Sequence, residues 1–536
     1  MKNRREFLTA AATLAVSTKL NALGHLPQIK TPLTPGTPTA AAKLAVSTTR
    51  THTIPKNFIG LSYESQQLTD PHFFSPANRQ LIAQFKALSP AGVLRLGGNT
   101  SDFSWWKPTP ETTQPPRPAS VVVSGEPTNA FAYPITPAAI DSLRKFLDAT
   151  KWTCIYGINL GNNTPALAAD QAAYAAQALG PHLEYFQIGN EVDDFSRHIR
   201  DPKTWSPQTY FVEWLAIARA ITEKVPNARF GAPDVASHYE WLTAFAESYA
   251  ATENPPKLAA LTHHHYVGGP PSSPTMTIEH ILGGATTDPA VDKAATIVQA
   301  AAAQVKSTYR MTEGNTCYRG GKPGVSDVLA SALWAADYLL NLASLGYAGV
   351  NLHGGDAKAV ANSLGGTLPG EALMKNPNEP HPKPFYTPIA DIDGTYTAEP
   401  VFYGMLLAQQ FAGATLLDVT FDTSFTPTNP PAGTTPVTAT VNATAFAAIR
   451  PDGKTIIAVI NKDLTNDLVL HVTGAWPASV LRLTGHAIDS HDVTFARATV
   501  TPNGIWDPQP ESAVVYYGHN APIRIPKGSA ALLVSH

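Results

Sequence analysis

One feature constrains this chain more than any other. From residue 57 to residue 412, eight short apolar runs alternate strictly with eight segments of helical spacing. The runs are 57–64, 92–98, 153–161, 183–191, 229–235, 258–266, 307–315 and 346–354. The helical segments are Ser75–Leu88, Thr136–Ala149, Pro165–Leu179, Pro207–Val225, Tyr239–Ala251, Pro289–Val305, Asp327–Leu345 and Glu399–Ala412. Strict alternation of this kind means βαβ units and a parallel sheet. Eight units close into a (β/α)8 TIM barrel more readily than they form an open sheet. The competing architecture, a doubly wound sheet, lacks support: no G-x-G-x-x-G follows the first run and no P-loop occurs anywhere.

Past residue 414 the helical spacing ends. Thr415–Phe425, Val437–Arg450, Lys454–Asn461, Leu468–Thr473, Ser479–Thr484, His491–Thr501 and Gly528–Ser535 read as strands separated by Pro, Gly, Asn and Asp, the spacing of a β-sandwich. Ahead of the barrel, Ala42–Thr53 alternates polar and apolar residues, an exposed strand available to pair with strands from the far end of the chain. The expected organisation is a signal segment at 1–24, a linker and N-terminal strand at 25–56, a barrel at 57–414 and a β-sandwich at 415–536.

The N-terminus reads as an export signal. Arg4-Arg5 precedes Phe7-Leu8 and the short apolar run Thr9–Val16, a pattern like a twin-arginine signal. That run is too short to span a bilayer, and no later stretch approaches 18 apolar residues, so export to the periplasm or exterior is expected rather than membrane insertion. With 536 residues and 43% hydrophobic content, the chain can bury a sizeable core, while 15% charged residues is low beside the usual ~25%. A net charge of −3 without Lys or Arg runs in the mature part argues against nucleic acid or an anionic membrane as partner. The only cysteines, Cys154 and Cys317, fall on roughly opposite strands of the barrel and are expected to be free.

In such a barrel the residues at the C-terminal strand ends face the active-site mouth. The fourth run ends in Ile188-Gly189-Asn190-Glu191 and the seventh in Thr312-Glu313-Gly314, three βα units further on. Hydrolysing a glycoside requires two carboxyl groups, one protonated to expel the leaving group and one ionised to attack the anomeric carbon. Glu191 is read as the acid/base and Glu313 as the nucleophile, with Asn190 beside the acid available to a sugar hydroxyl. Either glutamate alone would pass as a solvated strand-end carboxylate; the pair at these two ends would not. Arg95, in Leu94-Arg95-Leu96, is placed either to keep Glu313 ionised or to form a structural ion pair inside the barrel. Asn99 is placed to bind a sugar hydroxyl, and Glu64 adds another polar strand end. Tyr266 is placed to hydrogen-bond the nucleophile, or is an ordinary rim aromatic. His263, His264 and His265 alternate in direction along a strand and cannot share one metal, so no metal site and no cofactor are expected. Long loops at 107–134, 267–287 and 357–397 follow the second, sixth and eighth strands and would stand on the same rim. Asn351-Leu352-His353-Gly354-Gly355 ends the eighth strand and is expected to complete the pocket, with no role assigned to its side chains.

Four stretches give a narrower signal. Leu94–Phe103, Ile188–Glu191, Thr262–Tyr266 and Glu313-Gly314-Asn315-Thr316-Cys317-Tyr318-Arg319-Gly320-Gly321 resemble glycoside hydrolase family 79, which contains bacterial β-glucuronidases and the heparanases. The resemblance covers roughly residues 57–414, and its narrowest motif is the Tyr-x-Gly-Gly segment. It implies the same roles for Glu191 and Glu313. It further implies that Tyr318, Gly320 and Gly321 help to bind a uronic acid carboxylate, and that Glu64 and Asn99 bind hydroxyls at the far side of the sugar. The heparanases carry other residues there, and the rim loops contain few Lys or Arg to meet a sulfated chain. The expectation is therefore a monomeric retaining exo-β-glucuronidase acting on a carbohydrate substrate, with tolerance of 4-O-methylation open. A neutral-sugar β-glycosidase of the same clan, an endo-β-glucuronidase and a non-catalytic carbohydrate-binding protein are the alternatives.

Overall fold

The structure is a computed structural model that describes residues 38–116, 133–356, 358–360, 384–392, 394–425, 439–473, 478–514 and 523–536. The signal-like segment lies outside these residues, as do much of the second and eighth rim loops.

Eight parallel strands close into a barrel: Ile59–Glu64, Val93–Gly97, Thr153–Ile158, Leu183–Ile188, Arg229–Val235, Lys257–Gly268, Thr308–Cys317 and Val350–His353. All eight expected strands are present. Several of the intervening helices begin with the same local device, a capping side chain followed by proline. Thr136-Pro137, Thr164-Pro165, Ser206-Pro207 and Asp288-Pro289 each accept a first-turn N–H, and each proline takes a position that has no intrahelical partner to lose. The sixth rim loop differs from the expectation, because Ile278–Thr287 is a helix. Its sequence is poor in helix formers, but Ile281 and Leu282 are fully buried and the helix packs against Leu329–Ser344. Tertiary burial overrides weak local propensity there.

Ten of the remaining described strands form one sheet whose two ends contribute to a single apolar core, and the others make three two-stranded ribbons. Leu468, Leu470, Ile523 and Ile525 from one end lie in the same cluster as Val480 from the other and Ile457 between them. This is how one sheet folded over itself makes a sandwich. The N-terminal strand Thr39–Thr53 runs through it, antiparallel to Thr415–Asp422 and parallel to Asp467–Val472. On Thr455–Asn461 alternate residues serve two cores: Ile457 and Val459 face the sandwich, while Ile456, Ala458 and Ile460 join the core of the barrel helices. At that junction Lys462 Nζ lies 2.5 Å from Asp337 Oδ2, both side chains fully buried, and the Thr444 hydroxyl donates to the same carboxylate at 2.6 Å. Barrel and sheet thus share one compact unit. Cys154 and Cys317 are buried and free. Among the described residues no helix is long and apolar enough to cross a membrane.

Candidate active site

Two β-bulges build the centre of the barrel mouth. On the seventh strand Met311 pairs with His263 and Glu313 with His264, which leaves Thr312 as an extra residue. On the fifth strand Pro233 pairs with Thr262 and Val235 with His263, which leaves Asp234 extra, with φ of 65°. A bulge re-aims side chains that strict alternation would send to opposite faces. As a result the neighbours Thr312 and Glu313 both reach one buried polar network.

Arg95 is the hub of that network. Its guanidinium is fully buried and donates all five of its N–H groups. Nε donates to Gln187 (2.9 Å), Nη1 to Ser62 (3.1 Å) and Glu313 (2.6 Å), and Nη2 to Asn190 and Asp234 (both 2.7 Å). Any side chain at Gly97 would collide with this guanidinium. Arg95 is thus an interior ion-pair partner, and the two carboxylates it grips are Asp234 and Glu313.

Glu313 and Glu191 sit in opposite surroundings. Glu313 is 6% exposed and also accepts from the Tyr266 hydroxyl at 3.0 Å. Burial pushes its carboxyl up, but His353, His264 and Arg95 outweigh burial and hold it down at about 2. Glu191 lies three residues beyond the fourth strand, turned by Gly189 and its own left-handed conformation (φ 84° and 50°). Its main-chain N–H donates to the Asp234 carbonyl and its Oε1 lies 3.1 Å from His264 Nδ1. Here burial outweighs the histidine and pushes the carboxyl up to about 7. A carboxylate oxygen of each glutamate and a ring nitrogen of His264 lie within 4.8 Å of one another.

The three consecutive histidines point to three different partners. His263 meets Tyr347 at 2.8 Å, and burial lowers it to about 4, so it is neutral. His265 meets Asp288, the cap of the following helix, at 3.0 Å. His264 lies between Glu191 and Asp234, its Nε2 3.1 Å from Asp234 Oδ1 though off the hydrogen-bond axis. Burial opposes its charge, but Asp234 and Glu313 raise it to about 10. The imidazolium has no lone pair to offer, so the Glu191–His264–Glu313 group is poorly suited to a metal. A second group, Asp193, Asp194 and His238, is a loop anchor: Asp193 accepts the N–H groups of Ala236, Ser237 and His238.

The other expected residues line the same mouth. Asn190 donates to Asn99 at 3.1 Å, and Asp102 accepts the Asn190 N–H at 2.9 Å. Glu64 accepts from the Thr100 main chain and hydroxyl, and its other oxygen lies 3.4 Å from His353 Nε2. His353 hydrogen-bonds Ser62 at 3.0 Å and lies 3.7 Å from Glu313, so it bridges Glu64 and Glu313. Across Tyr266, the Tyr318 ring packs edge-on at 6.4 Å; it is 39% exposed and its hydroxyl has no partner among the described residues. Arg319, Gly320 and Gly321 follow with φ of 65°, 90° and 86°. A Cβ on Gly321 would stand 2.6 Å from the Tyr386 nitrogen, so glycine is required there. The Gly320 carbonyl accepts from Phe385 at 2.7 Å, and the N–H groups of Gly320 and Gly321 donate to no acceptor among the described residues. All ten expected residues thus border one mouth. Asp234, Gln187, Thr312 and Tyr386 were not singled out from the sequence, and His264 and His353 were noted there without a role.

No family model matches the chain. A β-glucuronidase from Aspergillus niger is 27% identical over 308 residues, 54% of this chain and 55% of that protein. One from Neurospora crassa is 27% identical over 321 residues, 53% of each. The chain thus spans about half the length of these curated relatives. Among solved structures, a 4-O-α-L-rhamnosyl-β-D-glucuronidase from Fusarium oxysporum superposes with a TM-score of 0.65 at 15% identity, covering 92% of this chain and 99% of that one. A family 51 arabinofuranosidase from Xanthomonas axonopodis pv. citri gives 0.62 at 16% identity, covering 93% and 100%. In sequence this chain resembles the β-glucuronidases of glycoside hydrolase family 79, and in fold it is a TIM barrel with an added β-domain, as these glycoside hydrolases are.

Proposed function

We propose that this chain is a retaining, exo-acting β-glucuronidase, with Glu313 as nucleophile and Glu191 as acid/base. The observation that carries the proposal is the pair of carboxyls with oxygens within 4.8 Å of each other, in surroundings that push one up and the other down. Carboxyl oxygens no more than 4.8 Å apart favour the short spacing of retaining enzymes over the wider spacing that admits a water in inverting ones. Glu313 attacks the anomeric carbon while Glu191 gives its proton to the departing oxygen. Glu191, now ionised, then takes a proton from water as the water's oxygen displaces Glu313. Tyr266 and Arg95 hold the nucleophile's two oxygens apart and aimed.

The sugar assignment rests on the Tyr318 wall. A free phenol and two free N–H groups at successive left-handed residues form a neutral anion cradle suited to a uronic acid carboxylate. The glucuronidase names of the two sequence relatives support the same choice. Glu64, Asn99 and Asn190 are then the hydroxyl ligands. The barrel at 57–414 is the catalytic domain, the strands from 415–536 with Thr39–Thr53 its structural companion, and 1–24 the signal for export to the periplasm or exterior. The rim's scarcity of cations favours a terminal sugar over a sulfated chain.

Proton NMR of the first-formed sugar from nitrophenyl β-glucuronide tests this directly. The β-anomer should appear first, and the matching glucoside and xyloside should turn over far more slowly. First appearance of the α-anomer would overturn retention; preference for a neutral sugar would overturn the cradle. Undiminished turnover by Glu313→Gln would overturn the nucleophile assignment.

A further inference from the structure

We propose that Asp234 is a positioning residue whose single buried carboxylate ties the two catalytic glutamates together, one oxygen holding the cation that serves Glu313 and the other the ring that serves Glu191. The inference rests on the roles proposed above for Glu191 and Glu313. Oδ2 accepts from Arg95 Nη2 at 2.7 Å, and Nη1 of the same guanidinium grips Glu313 at 2.6 Å. Oδ1 accepts from Gln187 (2.5 Å) and Thr312 (2.6 Å) and faces His264 Nε2 at 3.1 Å, whose other nitrogen meets Glu191. The Asp234 carbonyl also accepts the Glu191 main-chain N–H at 2.9 Å. All of this comes from the residue that the fifth-strand bulge inserts, in a left-handed conformation uncommon outside glycine.

The site explains why an anion is required at this point. Asp234 is fully buried, and an uncompensated buried carboxylate is costly; here it is met by two cations and two neutral donors. The charged or titratable groups around it are Arg95 on the second strand, Tyr185 on the fourth, His263 and His264 on the sixth, Glu313 on the seventh and Tyr210 on the flanking helix. Burial pushes its own carboxyl up, but His264 and Arg95 hold it well below the usual carboxylate range, so it stays charged while the reaction runs. Its charge keeps His264 an imidazolium, and that imidazolium restrains how far Glu191 rises. Removing the charge neutralises His264 and lets Glu191 keep its proton to higher pH.

Asp234→Asn in the full chain, compared at several pH values on nitrophenyl and alkyl β-glucuronides, tests the link. The side chain touches no substrate, so KM should stay within about twofold. Turnover should fall at least tenfold, more for the alkyl aglycone, which depends on proton donation. The basic limb of the pH profile should move upward. A loss equal for both aglycones with the limb unmoved is what a merely structural role gives, and it would overturn the proposal, as would wild-type kinetics. Should the variant not fold, 15N NMR of histidine-labelled wild type decides instead, with the His264 signal assigned by its loss in His264→Gln: a doubly protonated ring through pH 8 supports the link, and a neutral ring at pH 7 overturns it. Wild type inactive on every β-glycoside would sink the catalytic reading, while the His264 signal compared between wild type and Asp234→Asn would still decide whether Asp234 holds His264 charged.

Discussion

Replacing Glu191 by glutamine should stabilise the protein at pH 8 and leave its stability unchanged at pH 4. The Glu191 carboxyl stands at about 7 in the fold against an ordinary 4.5. Between those values the folded chain binds a proton that the unfolded chain has released, so stability falls as pH rises through the window. Below 4.5 both states are protonated and the cost is absent; above 7 it is complete. At ~1.4 kcal/mol per pH unit the full cost is about 3 kcal/mol. Since 21% of the side chain is open to the mouth, screening trims this to about 2–3 kcal/mol. Urea unfolding of wild type and Glu191→Gln, followed by tryptophan fluorescence at pH 4, 5.5 and 8, reads the difference. It should be near zero at pH 4, intermediate at 5.5 and largest at 8, always in favour of the variant. The wild-type kinetics must break at the same place, with kcat/KM falling above about pH 7 as the acid loses its proton. A stability difference that does not change with pH would refute the reasoning, because Glu191 would then not be held protonated by its surroundings.

Three further outcomes follow from contacts at other points. Arg95→Lys puts three donors on one nitrogen where five in a plane served four side-chain carbonyl and carboxylate acceptors and a hydroxyl, so at least two hydrogen bonds are lost. Urea unfolding should show a loss of about 3–5 kcal/mol, and the acid limb of kcat/KM should move to higher pH because a single ammonium cannot grip Glu313 and Asp234 together as the guanidinium fork does. Tyr318→Phe removes one hydrogen bond to a charged group and should raise KM for a glucuronide ~10–100-fold; a neutral glycoside should show no change in steady-state assays. Lys462→Met strands the buried Asp337 carboxylate with only Thr444 and should cost about 3–5 kcal/mol with KM intact, while adding Asp337→Leu should restore most of the loss in the same unfolding assay.

What the sequence made legible is what local chemistry decides. The caps at Thr136, Thr164, Ser206 and Asp288, each followed by proline, mark helix starts that need no tertiary information. Counting strands then placed Glu191 and Glu313 at one rim. Asp234 and Thr312 escaped because each is the extra residue of a bulge, and a bulge exists only in the pairing of two strands. The role of His353 escaped because its partners, Ser62 and Glu64, are on the first strand and meet the eighth only when the barrel closes. The alternation of three histidines argued against a shared metal, but which of them meets Glu191 depends on the bulged register opposite. The helix Ile278–Thr287 is held by burial that its composition does not announce.

The distribution of charge around the mouth bears on how a uronic acid would be recognised there. Every described basic group at the catalytic centre already faces a carboxylate: Arg95 has spent all five N–H groups, two of them on Asp234 and Glu313; His264 lies between Glu191 and Asp234; His353 lies between Glu64 and Glu313. A substrate carboxylate that sought one of these cations would have to displace the nucleophile or its supports. The donors left uncommitted are neutral and lie across Tyr266, at the Tyr318 hydroxyl and the glycine turn. Binding an anion with neutral donors keeps its charge away from Glu313, whose low pKa depends on the surrounding cations not being shared. A lysine or arginine introduced at Tyr318 would strengthen ground-state binding while adding a competing charge near the nucleophile. Tyr318→Lys is accordingly expected to lower KM for a glucuronide and to lower kcat with it, in steady-state kinetics at pH 6. A rise in kcat would show that the separation of the two charge systems does not matter to the reaction.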